Sequence, residues 1–201
     1  MPSTRNVLLV AGLAALAGAA ASVYFEPTIA TRLAATEPGQ RVLGAVLGAN
    51  ALAPPEGVIV AERGGIVPTF ALESTNGDAV SVPIAWAGKP TLVNLWATWC
   101  APCLKEMPDL QAYAIDQGGN GTQVVGIALD DAAAVQAFLG QHAITYPNLI
   151  DAPGPADAGV RLGNPSGVLP YSVLVSSDGR VLKTKIGPFE DKQDISAWSQ
   201  Q

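Results

Sequence analysis

The sequence predicts an α/β domain with a central mixed β-sheet flanked by helices, preceded by an N-terminal transmembrane helix. Three observations lead to this expectation. A long uncharged run lies near the start, and predicted strands alternate with helix-compatible segments in the middle of the chain. Before and after this middle part, turn residues separate two apolar runs, as in a hairpin. Alternation favours a parallel core, and the late hairpin favours an antiparallel edge. The expected bounds are 1–25 for a membrane anchor or signal segment, 26–60 for a linker and 61–201 for the domain.

The composition allows one sizeable core and argues against a nucleic-acid partner. The chain has 201 residues, of which 49% are hydrophobic and 14% are charged. Its net charge is −6 at pH 7. Because nucleic-acid backbones are bound by basic surfaces, a chain with this charge is not expected to bind DNA or RNA.

The N-terminal run VLLVAGLAALAGAAASVYF, at residues 7–25, carries no charge. About 20 apolar residues are needed to span a bilayer, and Tyr24 and Phe25 are typical of an aromatic anchor at the membrane interface. We therefore favour an uncleaved anchor that keeps Arg5 inside and exports the rest of the chain. Ala19-Ala20-Ala21 offers a cleavage site, so a removed signal peptide is the alternative.

The stretch that follows, residues 27–57, is expected to connect the anchor to the domain. Its apolar residues hint at a weak helix, which Pro38-Gly39 is expected to break. Ala53-Pro54-Pro55-Glu56-Gly57 is typical of a semi-rigid linker. Residues 27–57 are therefore not counted toward the folded domain.

Apolar runs and turn residues divide the domain into its elements. Asn76-Gly77-Asp78 and Ser177-Asp178-Gly179 each predict a hairpin. Pro108 is expected to kink the first helix. Asp130 or Asp131 can cap the second helix, and both are expected to serve as caps. The remaining stretch, 146–164, is expected to be rich in loops. The predicted strands are 66–72, 79–84, 91–97, 122–129, 171–175 and 180–186, and the predicted helices are 100–117, 132–141, 155–162 and 191–200.

The chain's two cysteines, Cys100 and Cys103, lie between a buried strand and the start of a helix. Free backbone N–H groups and the helix dipole favour a thiolate at such a position, and in this motif the thiol pKa can fall from ~8.5 to roughly 3.5–7.5. As a structural staple, so short a loop would remove little entropy from the unfolded chain. A zinc site needs three or four protein ligands, and His142 is far away in sequence. We therefore favour a redox-active pair with no metal and no cofactor.

The motif and its surroundings resemble the thioredoxin superfamily, and within it the membrane-anchored TlpA/ResA/CcmG group of extracytoplasmic thiol–disulfide oxidoreductases. The resemblance covers roughly residues 62–198. It departs at Tyr171-Ser172-Val173, where the group more often has Thr-Thr-Phe or Glu-Thr-Phe, and in a short final helix. The matching stretches are VPTFAL at 67–72, KPTLVNLWATWCAPC at 89–103, EMP at 106–108, VVGI at 124–127 and GVLP at 167–170.

Position in the motif assigns roles to the two cysteines. Cys100, at the helix start, is expected to attack a substrate disulfide, and Cys103 is expected to resolve the resulting mixed disulfide. Glu106 shares a helical face with Cys103 and matches the acidic residue that the resembled group places near the disulfide. A partly buried carboxylate there could exchange a proton with Cys103. A solvated surface carboxylate is the alternative.

Four further residues are expected to meet the substrate. Trp99 would shield Cys100, and Pro102 would stiffen the loop between the cysteines. The resemblance implies that Pro170 is cis and faces the active site, where its loop would offer backbone groups to a peptide. Leu169 makes that loop more apolar than is usual in the group, which bears on substrate preference.

The resemblance implies an enzyme of a bacterial inner membrane, with its C-terminal domain in the periplasm or on the extracytoplasmic side. We expect a monomer that acts as a reductant on exported cysteine-containing proteins and receives electrons from a membrane thiol-transfer protein. Cytochrome c maturation and copper-site assembly are the implied pathways. A copper chaperone is the alternative, although such relatives have Cys-X-X-X-Cys and a well-placed histidine. A thiol peroxidase would instead use a lone activated cysteine.

Overall fold

The computed structural model describes residues 33–200. The anchor expected at residues 7–25 therefore lies outside the described residues. Within residues 33–200, no helix combines the length and the apolar character needed to cross a membrane. The chain divides after Ala45 into two compact units.

The first helix, α1, spans Glu37–Ala49. The helical stretch is interrupted just before Pro38-Gly39, as expected: residues 33–35 are helical, Thr36 is not, and Pro38 lies in the first turn of α1. A proline there removes an N–H group that has no partner within the helix. The Thr36 hydroxyl accepts a hydrogen bond of 3.2 Å from the Gly39 N–H, as in an N-terminal cap.

The described part of the domain contains a mixed sheet of seven strands, in the order β2-β1-β5-β4-β3-β6-β7. Strands β3, β4 and β5 are parallel, and antiparallel hairpins lie at both edges. The strands are β1 (Phe70–Ser74), β2 (Ala79–Val82), β3 (Thr91–Trp96), β4 (Gln123–Leu129), β5 (Asn148–Asp151), β6 (Tyr171–Val175) and β7 (Val181–Ile186). The helices are α2 (Ala101–Gln117), α3 (Ala132–His142), α4 (Ala158–Arg161) and α5 (Lys192–Ser199).

Each face of the sheet carries its own apolar cluster. One cluster joins α2, α3 and α5 to one face of the sheet. The other joins α4, Ala61, Val67 and Trp86 to the opposite face. All six residues of β3 are buried, as expected for a central strand covered on both sides. This architecture confirms the predicted mixed sheet with an added N-terminal hairpin.

Strand β5 corrects the expectation that residues 146–164 are mostly loop. It pairs in parallel with β4 and antiparallel with β1, so it attaches the N-terminal hairpin to the sheet. Its four residues begin with Asn148 and end with Asp151, which weakens the apolar signal of a strand. The Asn148 side chain instead accepts a hydrogen bond of 2.9 Å from Trp96 Nε1. The short helix expected in this stretch is present as α4.

Helix boundaries follow the predicted signals with one exception. Helix α2 continues through Pro108 to Gln117. Asp131 caps α3, since its carboxylate accepts from the N–H groups of Ala133 and Ala134. The expectation that Asp130 is also a cap is wrong, because its carboxylate binds the loop before Cys100.

Candidate active site

Cys100 lies in the loop between β3 and α2, and Cys103 lies in the first turn of α2. Cys100 is the N-cap residue of the helix, and its Sγ accepts a hydrogen bond of 3.3 Å from the Cys103 N–H. The two residues form a disulfide, with their Cα atoms 5.3 Å apart. In the reduced protein the same N–H group and the helix dipole would stabilise a thiolate on Cys100.

Cys100 and Cys103 differ in their exposure to solvent. Cys100 is 5% exposed and Cys103 is fully buried. An external disulfide can therefore reach Cys100 more readily, whereas Cys103 is positioned to react with Cys100. The attacking role of Cys100 and the resolving role of Cys103 stay predictions.

Asp130 fixes the loop that leads to Cys100. Its Oδ2 accepts hydrogen bonds from the Thr98 N–H, at 2.9 Å, and from the Thr98 hydroxyl. Burial opposes ionisation, but the hydrogen bonds from Thr98 and Asp131 hold the pKa of Asp130 below its usual value. A charged carboxylate at the end of β4 thus anchors the loop after β3.

The four residues expected to meet a substrate differ in exposure: Trp99 and Pro102 are exposed, Leu169 is half-buried and Pro170 is buried. Trp99 is 68% exposed, and Pro102 is exposed in the first turn of α2. The Leu169–Pro170 peptide bond is cis, as the resemblance implied. Because Tyr171 pairs with Leu95, Pro170 lies next to the C-terminal end of β3, from which the chain continues to Cys100. Leu169 is half-buried against the cluster that contains both cysteines.

Glu106 is a buried carboxylate one helical turn after Cys103. It is 2% exposed, so the alternative of a solvated surface residue is wrong. Its Oε1 accepts a hydrogen bond of 2.8 Å from Asn94 Nδ2, and its Oε2 accepts one of 2.7 Å from the Phe189 N–H. The carboxylate therefore has defined donors, although water is largely excluded.

Burial is the main influence on the protonation of Glu106. It raises the pKa from 4.5 to about 7, against the lowering effect of the hydrogen bonds from Phe189 and Asn94. The positive charge of Lys185 also lowers this pKa, and the negative charge of Asp194 raises it. A group that titrates near neutral pH is suited to accept and return protons.

Several residues near Glu106 were not predicted from the sequence. Asn94 lies in the apolar run of β3, and a polar residue fully buried in such a run was the one available signal. Asn94 Nδ2 also lies 3.1 Å from Ser172 Oγ. Tyr146 is buried as well, and burial together with the charge of Glu106 raises its pKa. No pattern pointed to Lys185, which is distant in sequence.

His142 is not placed as a copper ligand would need to be. It ends α3, where its ring stacks on Phe138 with centroids 4.0 Å apart. Helix α3 is capped by Asp131, next to the residue that binds Thr98, and His142 is the last of its 11 residues. In residues 33–200, no three His, Cys, Asp or Glu side chains form a group that could hold a metal ion.

Comparison with protein families identifies the domain. Residues 62–199 match the model of the Redoxin family.

The chain belongs to the Redoxin family.

Curated relatives of this redoxin share its cysteine chemistry. Sporulation thiol-disulfide oxidoreductase A of Bacillus subtilis (strain 168) is 26% identical over 145 residues, which cover 70% of this chain and 84% of the relative. Thiol-disulfide oxidoreductase ResA of the same organism is 29% identical over 126 residues, which cover 62% of this chain and 68% of the relative.

Solved structures give the same picture of the redoxin fold. A DsbF homologue from Corynebacterium diphtheriae has 28% identity and a TM-score of 0.58, and the match covers 73% of this chain and 95% of that one. A thiol:disulfide interchange protein of the thioredoxin family from Chlorobium tepidum TLS has 26% identity and a TM-score of 0.55, with 70% and 97% covered. This redoxin is therefore a thiol–disulfide oxidoreductase enzyme with a thioredoxin-like fold.

Proposed function

We propose that this redoxin is a membrane-tethered reductant of disulfides in exported proteins. The proposal rests on the order in which three groups with little or no exposure follow one another from the start of α2. Cys100 lies at the helix start with slight access to solvent, Cys103 is fully buried behind it, and Glu106 is buried one turn further on. This order separates attack, resolution and proton transfer.

The reaction begins at Cys100 in the reduced enzyme. Its thiolate attacks one sulfur of a substrate disulfide, so that a mixed disulfide forms and one substrate thiolate leaves. Glu106 then accepts the proton of the Cys103 thiol. The Cys103 thiolate attacks Cys100 Sγ, closes the Cys100–Cys103 disulfide and releases the second substrate thiolate. Two electrons pass from the enzyme to the substrate, and the substrate thiolates take their protons from solvent.

The surface around Cys100 supports a protein substrate rather than a small polar one. Trp99 offers an exposed aromatic face, and Pro102 and Leu169 extend the apolar surface. Pro170 is the neighbouring loop residue that would present backbone groups to an extended peptide. An unfolded exported protein with a disulfide between nearby cysteines fits such a surface.

The proposed setting is the bacterial inner membrane, with residues 7–25 as a single-pass anchor. The catalytic domain would then lie in the periplasm or on the extracytoplasmic side, where protein disulfides form. A reductant in that compartment needs electrons from a membrane thiol-transfer protein. Apocytochrome c cysteines and a copper-site assembly protein are the proposed substrates, and the monomer is the proposed working form.

An insulin-reduction assay beside a copper titration tests the activity. We expect the parent chain to accelerate insulin reduction by dithiothreitol, and we expect Cys100→Ser to abolish the acceleration. Absence of acceleration together with tight, stoichiometric copper binding would replace the proposal with the chaperone alternative. The control is His142→Ala, which should leave both results unchanged.

The mature N-terminus tests the tether separately. Mass spectrometry of the protein isolated from cell membranes should detect peptides from residues 1–25. A mature chain that begins at Ser22 would show a cleaved signal peptide and a released protein. That outcome would overturn the tether and leave the cysteine chemistry intact.

A further inference from the structure

Three polar residues form a row across the sheet on the face that packs against α2. Asn94 of β3 pairs with Ser172 of β6, and Ser172 pairs with Lys185 of β7. Paired residues on neighbouring strands point to the same side of a sheet. Asn94 and Ser172 are fully buried, and Lys185 is 6% exposed. The row thus places a lysine ammonium group in the core that surrounds the catalytic helix.

A buried ammonium group is costly unless a negative charge or hydrogen bonds compensate for it. Lys185 Nζ lies 3.8 Å from Asp194 Oδ2, whose side chain is partly exposed at the start of α5. It also lies 5.1 Å from the centroid of the Phe189 ring. Neither contact is a short ion pair, so a second carboxylate would stabilise the ammonium group further.

Glu106 is that second carboxylate. The Phe189 residue that packs on Lys185 also donates its backbone N–H to Glu106 Oε2. Lys185 and Asp194 act on the ionisation of Glu106 with opposite signs. Lys185 and Asp194 therefore couple the charge of the buried Glu106 carboxylate to the partly exposed start of α5.

We propose that Lys185 is a positioning residue for thiol–disulfide exchange, and that its buried ammonium group, held by Asp194, determines how readily Glu106 carries the negative charge needed to deprotonate Cys103. This inference rests on the proposed role of Glu106. With Lys185 present, the Glu106 carboxylate accepts the Cys103 proton and later releases it.

Polar or charged groups on several neighbouring elements face Glu106. Asn94 on β3 donates to the carboxylate, and Ser172 on β6 contacts Asn94. Tyr146 lies on the segment before β5, and its hydroxyl is buried. Lys185 on β7 and Asp194 on α5 are the facing charges. The charges of Lys185 and Asp194 can be removed without changing a residue that hydrogen-bonds directly to Glu106.

Two substitutions should move the ionisation of Glu106 in opposite directions. Lys185→Met removes the positive charge at similar volume, so the pKa of Glu106 should rise by about one pH unit, a tenfold change in the ratio of ionised to protonated carboxyl. Asp194→Asn removes the negative charge and keeps an acceptor oxygen for the Glu190 N–H, so the pKa of Glu106 should fall. The matched control is Lys183→Met on the same strand, because Lys183 Nζ donates to the Gln200 carbonyl at 2.8 Å.

The experiment measures these pKa values by NMR on the full chain with ¹³C in its glutamate carboxyl groups, and Glu106→Gln identifies the signal. We expect a higher midpoint in Lys185→Met, a lower one in Asp194→Asn and no change in Lys183→Met. An unchanged midpoint in both Lys185→Met and Asp194→Asn would overturn the inference. If Lys185→Met does not fold, the sign of the Asp194→Asn shift decides, and an upward shift or none would contradict it.

Exchange rates with a disulfide peptide separate this inference from the proposed function. If Glu106→Gln is slow while Lys185→Met matches the parent at every pH, the inference about Lys185 is wrong and the role of Glu106 stands. If Glu106→Gln itself exchanges like the parent, the proposed proton transfer fails, and the positioning role of Lys185 fails with it. We expect slow exchange in Glu106→Gln and, in Lys185→Met, a pH profile displaced to higher pH.

Discussion

Asn94 Nδ2 lies 2.8 Å from Glu106 Oε1, and both residues are buried. This hydrogen bond joins the central strand β3 to the catalytic helix α2 one turn after Cys103. An amide N–H donor stabilises a carboxylate more than a carboxylic acid. The contact therefore partly offsets the burial that raises the pKa of Glu106 and keeps the group titrating near neutral pH.

Glu106→Gln should slow the resolution of the mixed disulfide. Glutamine has the shape of the carboxylic acid but cannot take the proton of Cys103, so we expect a rate loss of roughly 10²-fold near neutral pH. The parent rate should rise with pH through about 7, where Glu106 ionises. Stopped-flow measurement of exchange against pH checks both statements. Matching pH profiles for the variant and the parent would rule out the proposed proton transfer.

The same residue should make the stability of the fold depend on pH. Folding raises the pKa of Glu106 from 4.5 to about 7, so its protonated form is favoured in the folded state. The associated stability is fully present below pH 4.5 and is lost as the pH rises through about 7. The shift corresponds to a loss on the order of 3 kcal/mol.

Urea unfolding at several pH values measures this loss. The free energy of unfolding of Glu106→Gln, relative to the parent, should increase between pH 5 and pH 8 by on the order of 3 kcal/mol. Glu73→Gln, at an exposed position of β1, is the matched control and should follow the parent. Parallel stability curves for Glu106→Gln and the parent would show that burial does not shift the ionisation of Glu106.

Asp130→Ala should alter Cys100, whereas Asp131→Ala should not. Asp130 holds Thr98 in the loop before Cys100, and Asp131 caps α3. Each substitution removes side-chain hydrogen bonds and should cost about 1–2 kcal/mol of stability. Only Asp130→Ala should also change the alkylation rate of the reduced Cys100 thiol, which mass spectrometry measures. Equal alkylation rates in the two variants would show that the Asp130–Thr98 contact does not position the cysteine.

The sequence was informative where one local pattern dictated one structure. Continuous apolar runs identified β3 and β4, because a strand covered on both faces needs no polar alternation. The turn signals identified both hairpins. Strand β5 escaped detection because it is short and polar at its ends, and its pairing with β1 and β4 is a long-range contact. Pro38-Gly39 signalled the interruption of the helical stretch at Thr36, because a proline fits the first turn of a new helix but not the interior of a continuing one.

The residues of the site also divide into those that local spacing predicts and those that only long-range packing brings together. Cys100, Cys103 and Glu106 could be found because their spacing along one helix is local information. The charges of Lys185 and Asp194 act on Glu106 only once β7 has joined the sheet and α5 has packed against α2, so no spacing in the sequence reveals them. Asp130 was assigned as a cap for a similar reason, because its true partner, Thr98, lies 32 positions away.

Capture of the mixed disulfide tests the central claim most directly. Full-length Cys103→Ser and Cys100→Ser variants would be expressed in cells, quenched with acid and separated without reductant. The account predicts that Cys103→Ser accumulates a disulfide-linked complex with a substrate protein, since Cys100 attacks and nothing resolves the product. Cys100→Ser should form none, because Cys103 is buried. Equal trapping by the two variants would contradict the ordered use of Cys100 and Cys103.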